Sequence, residues 1–298
     1  MDERKQAGHV SVLLKEAIDF LAVKRGGTYI DATLGLGGHS YEIAKRLGAE
    51  GRLIGFDKDP AALAIARQRL AINERDWPSI TLLQSSFSEA GQRVEPGSAD
   101  GLLADIGLSS LQLADAARGF SFQAEGPLDM RMDPQSELTA YQVVNQVGEK
   151  ELADLIYEFG EERRSRRIAR AIVRARPVTT TAQLADVVAA AARPMNPQER
   201  RIHPATRTFQ AIRIFVNHEL EDLRALLEAA PRVLRPGGRL VVISFHSLED
   251  RIVKDAIRDG MKAGFYRSLT KKPVTATEEE IAENARSRSA KLRAAERT

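Results

Sequence analysis

The run Asp31-Ala32-Thr33-Leu34-Gly35-Leu36-Gly37-Gly38-His39 combines an acid with closely spaced glycines, residue types that together hold nucleoside ligands. Glycine adopts positive φ without a Cβ penalty and lets a ligand approach the backbone. A second acid, Asp57, follows Gly35 by 22 residues, about the spacing at which a carboxylate reaches ribose hydroxyls in nucleotide-binding sheets. A dinucleotide fingerprint needs glycine at its first, third and sixth positions. Counted from Gly35, the third is Gly37 but the sixth is Ser40. Asp31 would also repel a pyrophosphate, whereas a ligand carrying an ammonium and a sulfonium suits it. The pattern favours S-adenosylmethionine over a nicotinamide dinucleotide; for the glycines alone, an ordinary tight turn is the plain alternative.

Asp105-Ile106-Gly107-Leu108-Ser109-Ser110 holds a further acid beside a glycine. The exocyclic amine of cytosine is a poor nucleophile because its lone pair is delocalised into the ring. A carboxylate with nearby carbonyls can localise that pair, steady the charge that develops on methylation, and take the proton afterwards. Asp105 as catalyst stands beside two plainer readings, a turn cap and a ligand of the cofactor only. Phe87 suits packing on an adenine ring or simple core filling. Gln112 suits a hydrogen bond to the cofactor or a helix cap.

Four further groups bear on a nucleic-acid acceptor. Gly119 to Phe122 and Gly126 to Asp133 mix aromatic, cationic and acidic side chains, a composition that suits a flipped base; Phe and Met anchoring the loop to a core is the alternative. Arg163, Arg167, Arg170 and Arg174 share one helix face while Ile168 and Ile172 point the other way, which fits either phosphate binding or a solvated face. On the helix that begins at His203-Pro204, Phe209, Ile212, Val216, Leu220 and Leu223 form the apolar side. Arg207, Gln210 and Asn217 lie opposite with Arg213 at the margin, lining an RNA cleft or facing water. His246, in Phe245-His246-Ser247, is a base contact or a structural hydrogen bond.

These residues need a scaffold, and the flanking pattern supplies one. The β-like run Thr28-Tyr29-Ile30 precedes the glycine loop, and a helix-like run from Tyr41 to Leu47 follows it. Further β-like runs cover Arg52 to Phe56, Ile80 to Gln84, Ala99 to Ala104 and Arg239 to Phe245, with a helix from Pro60 to about Leu70 whose proline suits a first turn. Such alternation predicts an α/β fold with a mostly parallel, doubly wound sheet. Ligands of such sheets bind beyond the carboxyl ends of the strands, where Asp31, Asp57, Phe87 and Asp105 converge. The alternation stops between about Leu113 and Pro204, where helices are predicted over Lys150 to Phe159, Glu161 to Ala175 and Thr181 to Ala192. Residues 113–204 therefore read as an inserted helical domain for substrate recognition, within a core of 1–112 and 205–298. The tail from Lys271 to Thr298 reads as polar and mobile, with a helix over Ile281 to Arg297.

Composition narrows the chemistry. The 298 residues are 43% hydrophobic and 29% charged, as in soluble globular proteins. Net charge is only +3, with a pI of about 9.1, so basic groups matter through clustering. Cysteine is absent, which removes thiolate nucleophiles, thiolate zinc sites and cysteine-ligated iron–sulfur clusters. It also removes the covalent route to pyrimidine carbon-5 and leaves direct transfer to nitrogen or oxygen. Five scattered histidines form no ligand-like pair, so no metal is expected. No run of about 18 apolar residues suggests a membrane span, and the charged Met1 to Lys5 precedes no apolar segment of a signal peptide. A cytoplasmic location without a membrane partner is expected.

The segments together closely resemble the bacterial 16S rRNA cytidine N4-methyltransferase family, also called RsmH/MraW. The matching runs are His9 to Glu16, Tyr29 to Ser40, Asp105 to Ser110, Arg118 to Phe122, Gly126 to Pro134, Gly160 to Arg163, His203 to Ala211, Ile243 to Lys254 and Ser287 to Arg293. Ala104 stands where the family often has a larger aliphatic residue. The resemblance implies a class I, Rossmann-like methyltransferase sheet and S-adenosylmethionine-dependent methylation of N4 of one cytidine in the decoding (P-site) region of 16S rRNA. It implies cofactor contacts at Gly37, Gly38, His39, Asp57, Phe87, Asp105 and Gln112, with Asp105 also catalytic. Its implied partner is the small ribosomal subunit, and a homodimer is compatible with it. A class I methyltransferase acting on another substrate, and a non-catalytic RNA-binding assembly factor, are the alternatives.

Overall fold

The computed structural model describes residues 11–193 and 203–298. His9 and Val10 of the first matching run, the Met1 to Lys5 segment, and 194–202 of the expected insert lie outside them. The chain divides into two compact units: residues up to Ser109 with Leu220–Thr298, and Ser110–Glu219. The division falls at 109/110 and 219/220, so the helix Thr206–Asn217 groups with the second unit.

The first unit is built on a seven-stranded sheet. Its strands are β1 (Thr28–Asp31), β2 (Arg52–Asp57), β3 (Ser79–Gln84), β4 (Ala99–Asp105), β5 (Leu234–Ser244), β6 (Tyr266–Ser268) and β7 (Lys291–Arg297). They are ordered β3-β2-β1-β4-β5-β7-β6. The first five pair in parallel, while β7 runs antiparallel to both β5 and β6.

The period-two geometry of a strand explains why the central strands read as unbroken apolar runs. Ile30, Leu102, Ala104, Leu240 and Val242 enter one core. Tyr29, Leu103, Val241 and Ile243 enter the other. A sheet covered on both faces shows no polar alternation. One face is covered by Leu223, Leu226, Leu227, Ala230 and Val233 of the helix Glu219–Val233 with Val253 and Ile257 of Ser247–Lys262. The other is covered by Ala17, Ile18 and Leu21 of Leu14–Leu21 and by Ile43, Ala44 and Leu47 of Gly38–Leu47.

The tail departs from the expectation of a mobile segment with a helix over Ile281 to Arg297. Glu278–Glu283 is helical and Ala285–Ser289 forms a 3₁₀ turn, but Lys291–Arg297 is a sheet strand. Its Lys, Leu, Ala, Glu and Arg residues are strong helix formers. Two neighbours override that preference by pairing: Leu292 sits opposite Ile243, and Ala295 opposite both Leu240 and Ser268. Leu292, Ala294 and Ala295 are fully buried there.

The regular structure of the second unit, among its described residues, is helical apart from a single bridge between Pro127 and Thr180, with irregular loop over 119–139. Its principal helices are Ala140–Gln146, Glu149–Gly160, Ser165–Ala175, Thr181–Ala191 and Thr206–Asn217. Thr139 and Gln142 cap the first reciprocally, satisfying donors at its start. Glu161, in the left-handed region at φ 48°, ends Glu149–Gly160, which is why the next helix starts at Ser165 rather than at Glu161. No helix among the described residues is long and apolar enough to cross a membrane.

Candidate active site

Three strands that are neighbours in the sheet each end on an aspartate. Asp31 closes β1, Asp57 closes β2 and Asp105 closes β4. The parallel pairing of these strands puts the three carboxyl ends on one edge of the sheet, where the crossover loops leave room for a ligand.

Asp31 is buried; its carboxylate accepts hydrogen bonds from Ser40 Oγ at 2.7 Å and from the Thr33 N–H at 3.2 Å. Burial outweighs these bonds and pushes its pKa up to about 6. Asp57 accepts from the Gly35 N–H at 2.7 Å and the Asp59 N–H at 2.8 Å. Burial raises it to about 6 as well, with Asp59 and Asp31 adding like-charge repulsion. The Asp57–Gly35 bond ties the second strand end to the glycine loop, so the acid that fits a ribose also shapes the cradle.

The loop itself needs two of its glycines. Gly37 caps the helix Gly38–Leu47 at φ 77°, a left-handed value that carries a steric cost for a residue with a Cβ. At Gly38 a Cβ would lie 2.0 Å from Ser11 Oγ, so any side chain would displace the packed N-terminal segment. The first-turn N–H groups of this helix have no intrahelical acceptor and so suit a ligand with hydrogen-bonding acceptors. His39 is held from two sides. Its Nε2 lies 3.1 Å from the Val12 carbonyl, and since a carbonyl only accepts, Nε2 carries the proton. Its Nδ1 lies 3.7 Å from Asp105 Oδ2.

Asp105 is the most perturbed of the three acids. The backbone N–H of Asp105 donates to Thr33 Oγ1 at 2.6 Å. Its Oδ1 is buried and has no hydrogen-bond partner, while 23% of the side-chain surface stays open. Burial pushes the carboxyl up to about 8; Arg286 pulls it down, and Asp31 and Glu249 push it further up. A buried acceptor without a donor is costly. It marks a place where a ligand's N–H or positive charge belongs. Three crowded carboxyl groups with raised pKa values form an acidic edge that suits a cationic nucleoside, and the glycine cradle beside it suits the polar end of that ligand.

Other expected residues fall into distinct roles. Phe87 starts the 3₁₀ turn Phe87–Glu89 after β3 and packs, partly buried, on the sheet core. His246 caps its own helix through Nδ1, which accepts from the Glu249 N–H at 3.4 Å, while its Nε2, 2.9 Å from Glu249 Oε1, makes no hydrogen bond. Glu249 is fully buried and accepts from the Phe245 N–H at 2.7 Å. Gln112 sits, buried, on Ser110–Ala114 in the second unit.

The second unit resolves the loop that suited a flipped base. Arg131 pairs with Asp129 through Nε and Nη2, at 2.9 and 2.8 Å, and its Nη1 donates to the carbonyls of Pro134 and Ser136. Phe120, Leu128 and Met130 are buried. Asn217, which the helical pattern placed on an open polar side, is buried and grips the loop through Met130 O and Met132 N. Gln210 donates to the Phe159 carbonyl at 3.0 Å. These polar groups hold the unit together instead of facing water. The arginine face is different: Arg163, Arg167, Arg170 and Arg174 are all exposed, with Ile168 and Ile172 fully buried behind them.

Sequence reasoning missed three contributors to the sheet edge. Thr33 lay inside the glycine run without a distinguishing feature. Glu249 stood three residues after His246, the spacing of a capping box, with an unusual cap residue that hid it. Arg286 had no local signal, because only the tail's return to the sheet brings it there.

The MraW methylase family profile matches residues 6–298. Ribosomal RNA small subunit methyltransferase H of Koribacter versatilis is 71% identical over 297 residues, covering 98% of this chain and 95% of its own. The same-named protein of Acidobacterium capsulatum is 66% identical, covering 97% and 98%. That of Sorangium cellulosum is 52% identical, covering 97% and 90%.

Proposed function

The chain belongs to the MraW methylase family, and from that premise we propose that it methylates N4 of one cytidine in the decoding (P-site) region of 16S rRNA. It is an S-adenosylmethionine-dependent methyltransferase of small-subunit ribosomal RNA, in keeping with relatives up to 71% identical across nearly their whole length. The choice of N4, and of this cytidine, is the finer reading. The observation that carries it is the buried, unpartnered Oδ1 of Asp105 at the sheet edge.

S-adenosylmethionine, when bound, supplies an electrophilic methyl group on a positively charged sulfur. Gly37, Gly38 and His39 would hold its methionine end, Asp57 its ribose and Phe87 its adenine; the family resemblance adds Gln112. Asp31 contributes negative charge beside Asp105 and so favours a cationic ligand over a neutral one. The Asp105 carboxylate accepts a hydrogen bond from the N4 amine, which draws the nitrogen lone pair out of the ring. It then steadies the positive charge on N4 as the new N–C bond forms, and takes the N–H proton afterwards. The exposed arginine face of Ser165–Ala175 meets the RNA backbone, and the second unit is the substrate-recognition unit. The compartment is the cytoplasm, where small subunits are assembled; a homodimer is carried by the resemblance alone.

The test is methyl transfer to small-subunit RNA with mass spectrometry of the released nucleosides. N4-methylated cytidine, lost in Asp105→Asn with retained cofactor binding, is the expected result. A methylated product other than N4-methylcytidine would overturn the reading.

A further inference from the structure

The turn Ala285–Ser289 is placed by topology. Because β7 runs antiparallel to β5, its first residue, Lys291, pairs with Ser244 at the last position of β5. The residues just before β7 therefore arrive at the same sheet edge as Asp31, Asp57 and Asp105. The turn is firmly built. Asn284 caps it through the Arg286 N–H, Ser287 is fully buried and its Oγ donates to the Asn284 carbonyl at 2.8 Å, and Ala290 is buried behind it.

The turn delivers a half-buried guanidinium, that of Arg286, which donates to the Leu108 carbonyl. Leu108 belongs to the segment that continues directly from Asp105. Arg286 also interacts electrostatically with Asp105 itself. Burial lowers the pKa of the guanidinium and Asp105 raises it. The groups acting on Asp105 are thus Asp31 at the end of β1, Glu249 on the helix after β5, the His39 imidazole at 3.7 Å, and Arg286 from the tail. Two of these are acids, and the tail supplies the cation opposing them.

We propose that Arg286 is a positioning residue of the methyl-transfer site: it clamps the 105–109 segment through the Leu108 carbonyl and supplies the counter-charge that the Asp105 carboxylate requires. The methyl-transfer step asks Asp105 to accept a hydrogen bond from an amine that carries two N–H groups. Only the ionised carboxylate accepts through both oxygens. Two neighbouring acids and burial oppose that form, and a guanidinium, which stays charged at any accessible pH, shifts the balance back toward it. The register of β7 against β5 fixes where Arg286 lands.

This inference rests on the proposed role of Asp105, so its test is made on protein free of cofactor and RNA. Aspartate carboxyl carbons labelled with ¹³C are titrated by NMR, with Asp105→Asn identifying the resonance. Replacing Arg286 by Gln, Met or Ala removes the charge; Arg286→Lys keeps it, and Arg288→Gln changes an exposed neighbour in the same turn. The expected result is an upward move of the Asp105 midpoint by about one pH unit or more in any folded neutral variant. Arg286→Lys is expected to recover part of that shift, and Arg288→Gln to leave the midpoint in place. The acid limb of the kcat/KM profile should move with the midpoint. An unmoved midpoint in a folded neutral variant overturns the proposal. So does loss of folding in all three neutral variants, which would make Arg286 a residue of the fold. Absence of N4 methylation with a shifted midpoint would overturn the substrate reading and leave the Arg286–Asp105 coupling standing.

Discussion

Asp105 is an acid held out of water beside two other acids, and its consequences are measurable without substrate. Its carboxyl moves from 3.8 to about 8 on folding, first because of burial. A folded carboxyl that binds its proton more tightly than the unfolded one adds stability at low pH, and that stability is lost as pH rises through the folded value. Asp31 and Asp57, each raised to about 6, complete their loss at lower pH. Between roughly pH 6.5 and 8.5 the slope therefore belongs chiefly to Asp105 among the three. The melting temperature of the cofactor-free protein is expected to fall across that window, and to fall less in Asp105→Asn. Parallel curves for the two proteins would mean that Asp105 does not titrate there. Arg286 sits on the same balance from the other side, which is why one tail residue can tune an acid so distant in sequence.

The elements divide into those that local pattern specifies and those that pairing imposes. The tail is the sharpest case. Leu292 is fully buried on β7, paired with Ile243 of β5 on one side and bridged to Val274 on the other, and Leu292→Ala should cost about 2–5 kcal/mol in urea unfolding. A loss below about 0.5 kcal/mol, the range of ordinary surface changes, would instead fit a mobile tail. β1 through β5 were legible because Tyr29-Ile30, Leu53-Ile54, Leu102-Leu103 and Leu240-Val241-Val242-Ile243 are apolar runs with turn residues around them. The acids ending β1, β2 and β4 were legible for the same reason. β7 was not, because its residues favour a helix until Ile243 and Leu240 are set beside them. Asn217 was misjudged for a related cause: a polar side chain on an open face and one gripping a buried loop look alike in sequence.

On the helix Ser165–Ala175 most of the pattern carries through: Arg167, Arg170 and Arg174 are exposed on it, and Arg163, also exposed, lies in the turn before it. Within this arginine face one pair, Arg170 with Glu149 at 3.3 Å, joins two side chains that are 61% and 44% exposed. An ion pair so open to solvent contributes little and yields readily to a phosphate. Replacing Arg163, Arg167, Arg170 and Arg174 by alanine should weaken RNA binding and make its log–log salt slope shallower by up to about 3. An unchanged slope would remove this face from the RNA interface.

Across the whole molecule, a net charge of +3 conceals two opposite surfaces. The sheet edge gathers buried carboxylates suited to a cationic methyl donor and an amine. The helical unit gathers exposed guanidiniums suited to a polyanion. The acids belong to one compact unit and the arginines to the other, and a phosphate-binding face built among Asp31, Asp57 and Asp105 would neutralise itself. Methyl transfer to an exocyclic amine at Asp105 can be tested on the RNA itself. Small-subunit RNA is incubated with labelled S-adenosylmethionine and either the native protein or Asp105→Asn, digested to nucleosides, and analysed by mass spectrometry, with cofactor affinity measured in parallel. The expected result is N4-methylated cytidine from the native protein and a drop of about 10²–10⁴-fold in Asp105→Asn at similar cofactor affinity. Methylation elsewhere, or turnover retained in Asp105→Asn, would contradict it.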